Sequence, residues 1–423
     1  MAENHWDEKL RSIEMTTNPK PILEELRTKC PFFQSEYLLG TFVTKYKDVD
    51  TILKNTKTIT ANKAPLLDKQ LQRAGVDMSI TEKHTKYNEP ALGQTDPPLH
   101  TKRRKVAAKA FTPKAVKGYE EVLTRIISEE LDKLKGRTSF DLYKEFAATF
   151  PYRGIATLVG VPDDRYDEFI HTFHQIEQLT TGIWDTQEKE EVEKMFTEGN
   201  QANDDLDKML LELAHERLKN PKEDMLSYML AKSEQQEDED TSIEAVASIA
   251  SVLIATGSTS ISYQVPLILY SLLQDENKDK FEAFKANLDN DEFIENAINE
   301  AIRLNPLLQF AYRIATEEMM VSGQKIEKDE ILALSFASAS VDPDVFPDPE
   351  KMDFSRENTK SHLGFGTGVH YCLGRHLAIK EMTIAFRELF ARFPNLRLDP
   401  QNPLVFNSEV VALRSFSKFS VLV

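Results

Sequence analysis

The chain reads as a mainly helical protein with small peripheral β-sheets. Three observations carry that expectation. A long segment from Ser242 to about Asp275 (SIEAVASIASVLIATGSTSISYQVPLILYSLLQD) is apolar on nearly all sides. A run of amphipathic helical patterns extends from Val116 to about Lys232. Strand-like alternation is confined to short pieces such as Tyr37–Val43 and Val410–Val423. A helix apolar all round belongs in a core, and at about 1.5 Å per residue this one spans roughly 50 Å.

Taken in order, a short helical pattern occupies Pro21 to Cys30. Residues 61–95 are irregular and polar and read as a long loop region. Asp96, ahead of Pro97 and Pro98, is a good N-cap for a helix that starts there. The acidic run Glu237–Asp240 reads as a solvated loop. The centre of the long apolar segment holds Ala255, Thr256, Gly257, Ser258, Thr259 and Ser260. Hydroxyls there can bond back to helix carbonyls and bend the helix, leaving space beside it. A further helix, Asp291 to Leu304, carries Glu300 and Arg303 three apart, a spacing usual for surface pairs of little energetic value. Strand-like alternation follows Pro306, and Asp342–Pro349 is loop-like. An amphipathic helix begins at Cys372 and passes Phe390.

With 423 residues, 41% hydrophobic and 29% charged, the composition is that of an ordinary globular chain. Two cysteines, Cys30 and Cys372, are too few for a disulfide framework and favour a reducing, cytoplasmic setting. The polar N-terminus lacks the apolar core of a signal peptide, and no uninterrupted apolar run reaches a membrane span. The net charge of −17 argues against nucleic-acid binding. Against that background Lys102, Arg103, Arg104, Lys105, Lys109, Lys114 and Lys117 form a basic cluster, either a solvated helix face or a patch that steers an acidic partner.

The most informative string is Leu363–Ala378, LGFGTGVHYCLGRHLA. Cys372 sits behind Gly364, Gly366 and Gly368 and ahead of Gly374. The glycines permit turns and close approach to a flat object, and a cysteine at a helix N-terminus is biased toward thiolate. A thiolate at the end of such a loop suits an axial bond to heme iron. Taken alone, the cysteine also fits a buried apolar residue, a catalytic nucleophile or a zinc ligand, although His370 two residues away is a poor activating base and no second cysteine or HExxH pattern lies nearby.

FGTGVHYCLG resembles the heme-binding signature of the cytochrome P450 family, FGxGx(R/H)xCxG, at every fixed position. The resemblance covers most of the chain from about Pro31 onward. It implies one domain over residues 1–423, with heme b (iron protoporphyrin IX) between the long central helix and the cysteine-bearing helix. Cys372 is then the iron ligand, with Phe365, Gly366, Gly374 and Ala255 at the heme. Asp96-Pro97-Pro98-x-His100-x-x-x-Arg104 resembles the helix that supplies two heme-propionate partners, and Arg313 and His370 match two more. Glu300, Arg303 and Arg356 match the family's buried structural network, which reverses the surface reading of the first two. His362 and Leu363 match the lead-in to the cysteine loop. Ser340 and Val341 replace an Asn-Arg pair common in the family, a local change near the surface.

The family usually reads (A/G)Gx(D/E)T(T/S) where this chain has Ala255–Ser260. Thr259 keeps the alcohol that stabilises dioxygen, and Ser258 replaces the acid that relays protons. A neutral hydroxyl does not ionise near pH 7, so protons must come through water, another side chain or the substrate. Ile254, Gln309, Phe310, Val410 and Val411 fall at substrate-pocket positions, where Gln309 favours a polar, oxygen-bearing substrate. The implied activity is a heme-thiolate monooxygenase that hydroxylates or oxidatively O-demethylates a small molecule. A ferredoxin and its reductase are the expected partners, with the basic cluster as docking face and a monomer as the working form. The alternatives are a peroxide-driven peroxygenase and a non-catalytic heme-thiolate sensor.

Overall fold

A computed structural model describes residues 2–82, 92–180, 188–231, 242–408 and 411–423. The acidic run Glu237–Asp240 and the pocket position Val410 lie outside the described residues. The chain forms two compact units, one from residues 1–55, 120–151 and 259–423, the other from residues 56–119 and 152–258.

The first unit holds the β-structure. The strands Phe32–Ser35, Gly40–Val43, Ile331–Ser335 and Phe310–Ala315 lie side by side in that order. The first pair is an antiparallel hairpin with Phe33 opposite Phe42, Gly40–Val43 joins Ile331–Ser335 in parallel, and Phe310 lies opposite Ser335. Residues 37–39, expected as strand, instead form the hairpin turn, with Leu39 at φ 61°. Ser420–Leu422 pairs with both Ser139–Asp141 and Arg397–Leu398. Large apolar side chains bind these strands: the ring of Phe416 packs on Phe406 at 4.3 Å and on Phe419 at 4.9 Å. The helices Lys20–Lys29, Asp291–Leu304 and Arg375–Arg392 complete the parts of this unit that matter below. The last begins three residues after Cys372, so the cysteine belongs to the approach loop rather than to the helix.

The second unit is helical. The segment expected as a long loop contains the helices Ala64–Arg73 and Ser79–Glu82. Leu66, Leu71 and Val76 supply an apolar face hidden in a polar composition; Leu71 and Val76 pack with Val192, Met195 and Phe196 of the helix Lys189–Lys219. The helix after Asp96 runs Leu99–Ala107. Asp96 does not cap it: its carboxylate accepts from the Ala61 amide at 3.0 Å and pairs with the Thr60 hydroxyl. Arg217 forms a buried ion pair with Asp224 and donates to the Gly160 carbonyl at 2.8 Å. Gly160 has φ +109°, and a side chain there would meet Asp224 Oδ2 at 2.5 Å, so this corner requires glycine.

The long apolar helix is Ile243–Leu272, with Pro266 inside it. Its length and composition alone would suit a membrane span, but 56% of its most apolar stretch is buried within the protein, as for a core helix.

Candidate functional site

The cysteine loop starts at His362, whose ring caps a short turn at Leu363–Phe365. The Gly366 amide donates to the Leu363 carbonyl at 2.8 Å, and the Cys372 amide donates to the Phe365 carbonyl at 2.9 Å. Gly366 has φ +68°, a conformation that side chains disfavour. Gly364 is needed for a different reason: an added Cβ would lie 2.6 Å from Ile302 Cγ2 on the helix Asp291–Leu304. The glycines therefore let the loop turn and lie against that helix.

Behind the loop, Arg303 donates from Nε to Glu300 Oε2 and from Nη2 to Oε1, both at 2.8 Å. Its Nη1 reaches the Ser340 carbonyl at 3.1 Å and the Pro349 carbonyl at 2.6 Å. Glu300 Oε1 also accepts from Arg356 Nε at 3.2 Å and from the Asp353 amide at 3.0 Å. Glu300 and Arg303 are fully buried and paired with each other, so the surface reading of their spacing fails. Ser340 corrects a second expectation. It and Val341 are buried rather than near the surface, and the Ser340 hydroxyl accepts from the Leu363 amide at 3.1 Å. That substitution therefore bears on the cysteine loop directly.

Asn299 and Arg375 are the residues of this region that sequence reasoning passed over. The available signal was weak: Asn299 is a polar residue on the buried face of an amphipathic helix.

The same unit holds the other predicted groups of the C-terminal half. Arg313 is largely buried on the strand Phe310–Ala315 and donates to the Tyr312 carbonyl at 2.8 Å. Gln309 is buried, its backbone N–H donating to the Ala412 carbonyl and its backbone carbonyl accepting from the Phe336 and Ala337 amides. Phe310 is buried between Phe42 and Tyr312, edge-on to both, whereas Val411 is half-buried. His370 closes the turn Gly368–His370, and Thr259 lies in the half of the long helix that belongs here.

The second unit carries His100, Arg104, Ile254, Ala255 and Ser258. His100 is buried, and burial, helped by the Arg104 charge, lowers its pKa below the ordinary histidine value. One helical turn separates the two, so both share a face. The basic cluster around them divides. Lys102, Lys105, Lys114 and Lys117 are exposed, Arg103 is buried, and Lys109 donates to the Ala231 carbonyl at 2.7 Å. In the long helix the Thr256 hydroxyl donates to the Val252 carbonyl and the Ser258 hydroxyl to the Ile254 carbonyl, each at 2.8 Å. Ile254 and Ser258 are fully buried.

The donor chemistry fits heme. Among the described residues no group of three or more His, Cys, Asp and Glu could hold a bare metal ion. A single cysteine at the end of a glycine-rich loop suits an iron whose remaining ligands come from a macrocycle.

Comparison with known proteins agrees. The cytochrome P450 family profile matches residues 44–415. The chain is 30% identical over 387 residues to cytochrome P450 CYP107DY1 of Priestia megaterium, covering 89% of this chain and 88% of that one. It is 28% identical to the biotin biosynthesis cytochrome P450 of Bacillus subtilis, covering 92% of each. Among solved structures, P450BioI in complex with an acyl carrier protein ligated to hexadec-9Z-enoic acid matches with a TM-score of 0.81 and 25% identity, covering 97% of this chain and all of that one. The chain belongs to the cytochrome P450 family: it is a monooxygenase, and its cofactor is heme.

Proposed function

We propose that this cytochrome P450 inserts oxygen into a small, oxygen-bearing organic substrate, hydroxylating it or removing an O-methyl group. The observation that carries the polar substrate is the buried Gln309 amide. Its Nε2 is spent on the Pro306 carbonyl at 2.6 Å, while its Oε1 has no partner among the described residues. A buried carbonyl left unpaired costs about 1–3 kcal/mol, which a substrate hydroxyl donating to Oε1 recovers.

In this reading Cys372 ligates the iron and Phe365, Gly366, Gly374 and Ala255 lie against the ring. His100, Arg104, Arg313 and His370 hold the propionates by charge-assisted hydrogen bonds. Ile254, Phe310, Val410 and Val411 shape the substrate space around Gln309. Bound heme supplies the oxidising power by which one oxygen atom of O2 enters a C–H bond and the other, with two electrons and two protons, leaves as water. Where the attacked carbon carries an ether oxygen, the product hemiacetal collapses to an alcohol and an aldehyde. Thr259 offers its hydroxyl to the proton path.

Electrons come from a separate ferredoxin and reductase, which meet the exposed Lys102, Lys105, Lys114 and Lys117; their charge suits a steered, weak encounter with an acidic partner. We read residues 1–423 as a single, monomeric, cytoplasmic domain. The family match, which takes in stretches of both compact units, supports the first, and two cysteines that form no disulfide support the last.

The test is an optical titration of the ferric protein with methoxylated and hydroxylated compounds, sugars included, against fatty acids, terpenes and steroids. A high-spin shift with the polar ethers, weakened about tenfold in Gln309→Leu, is the expected result. A shift confined to apolar ligands discards the Gln309 argument. One observation favours a second reading, the peroxygenase: the Ser258 hydroxyl hydrogen is already spent on Ile254. Turnover with peroxide that exceeds turnover with NAD(P)H and surrogate partners would select it.

A further inference from the structure

Behind the cysteine loop runs a buried hydrogen-bonded chain whose members have no assigned role. Asn299 Nδ2 donates to the Glu295 carbonyl at 2.6 Å, and Asn299 Oδ1 lies 3.2 Å from His362 Nε2. His362 Nδ1 accepts from the Gly364 amide at 3.0 Å. Asn299 is fully buried and His362 nearly so.

Elementary donor and acceptor chemistry sets every proton in this chain. A backbone amide can only donate, so His362 Nδ1 is bare and its proton sits on Nε2. A carbonyl can only accept, so Asn299 presents Nδ2 to Glu295 and Oδ1 to that Nε2 proton. Burial first, then the Arg375 and Arg303 charges, lowers the His362 pKa to about 3, which keeps Nδ1 available. The His362 ring also lies 5.5 Å from the Phe365 ring.

The chain ends at the ligand. The Leu363 amide is held by Ser340, the Gly364 amide by His362, and the Gly366 amide by the Leu363 carbonyl. The turn so pinned presents the Phe365 carbonyl that accepts the Cys372 amide. Arg375, the first residue of the following helix, braces the other side: its Nη2 donates to Glu295 Oε1 at 2.6 Å and its guanidinium lies 5.8 Å from the Phe365 ring centre.

We propose that Asn299 and His362 are positioning residues that set the sulfur–iron bond through Phe365, with the His362 proton on Nε2. The proposal rests on Cys372 as the iron ligand. Both act by holding the turn that aims the Cys372 backbone. Asn299→Asp should be more harmful than Asn299→Ala. A carboxylate cannot donate to the Glu295 carbonyl, and its charge draws a second proton onto the ring, abolishing the Nδ1 acceptor.

The experiment uses the heme-loaded full chain and two readouts per heme bound: the split of the reduced carbon monoxide spectrum between thiolate- and thiol-ligated bands, and the reduction potential. His362→Phe keeps a ring but no acceptor, while His362→Asn retains an oxygen that can accept from the Gly364 amide. Phe284→Leu, in the aromatic core with Phe386 and Phe390, is the control for lost stability alone. The expected result is a thiolate-to-thiol ratio about tenfold lower in His362→Phe, largely restored in His362→Asn, lower again in Asn299→Asp, and unchanged in Phe284→Leu. The proposal is overturned if His362→Asn behaves like His362→Phe, or if Phe284→Leu moves the ratio equally at matched loss of thermal stability. If His362→Phe takes up no heme, the Asn299→Asp and Asn299→Ala pair decides, and equal ratios in the two overturn it. A wild-type protein without the thiolate band would instead remove Cys372 as ligand, a separate outcome.

Discussion

The cysteine loop and the middle of the long helix satisfy their polar groups by opposite means. Around the loop the hydrogen bonds are long-range: Arg303 reaches the carbonyls of Ser340 and Pro349, Glu300 reaches Arg356, and Asn299 reaches His362. In the long helix, Thr256 and Ser258 each bond to the carbonyl four residues earlier in their own helix. A group bound by distant partners cannot change without stranding several buried atoms. A group that satisfies itself locally can be exchanged with little cost to the fold. Position 258 is therefore one this scaffold can change, while the loop that leads to Cys372 is not.

Breaking the loop side should give the largest effect. Arg303→Leu takes the donor from buried Glu300 Oε2 and from the Ser340 and Pro349 carbonyls; removing one partner of such a pair costs about 3–5 kcal/mol. Urea denaturation should register that loss, together with loss of heme. A cost under about 1 kcal/mol would mean the long-range bonds do not carry the region.

Glu381 sharpens the comparison, because it breaks the rule within the helix Arg375–Arg392 that follows the cysteine loop. Its Oε1 has no partner among the described residues, and burial pushes its pKa up to about 8. The folded state therefore holds this proton between the unfolded carboxyl value of about 4.5 and about 8, while the unfolded chain releases it. Stability from this group is complete below the lower value and is lost as pH rises through the upper one. Glu381→Gln should accordingly raise stability by on the order of 3 kcal/mol at pH 8 and change it little at pH 4. Melting temperatures across that range check the sign.

The smallest effect belongs to the long helix. Ser258→Ala removes one local bond that competes with the helix ladder, so stability should change by about 0.5 kcal/mol or less. Ser258→Asp should be worse, about 1–3 kcal/mol, since the site is fully buried. It should nonetheless raise the fraction of NAD(P)H electrons recovered in product. A large cost for Ser258→Ala would erase the contrast between the regions.

Much of this was legible in the chain. The cysteine loop could be read because its glycines are demanded by backbone turns and close approach, a constraint local enough to appear as a string. The helix Asp291–Leu304 was read at roughly its observed bounds because its apolar face repeats with helical period. The helices Ala64–Arg73 and Ser79–Glu82 were missed because a few leucines and a valine pack against a helix more than a hundred residues away, and local composition stayed polar. Asp96 had the type and place of a cap, yet its carboxylate went to residues 60 and 61. Ser340 looked like a surface exchange until burial gave its hydroxyl and carbonyl partners.

The sequence by itself determined that this is a mainly helical cytochrome P450, with a glycine-rich loop ahead of Cys372 and a hydroxyl at Ser258. Those features depend on residue type and short spacing, and both are printed in the chain. Only the tertiary structure decided that Glu300 and Arg303 are buried, that Asn299 and His362 reach the loop, and that Lys109 is bonded rather than offered to a partner. Each of these turns on which side chains lose water together, and that is settled by packing between segments far apart in the chain.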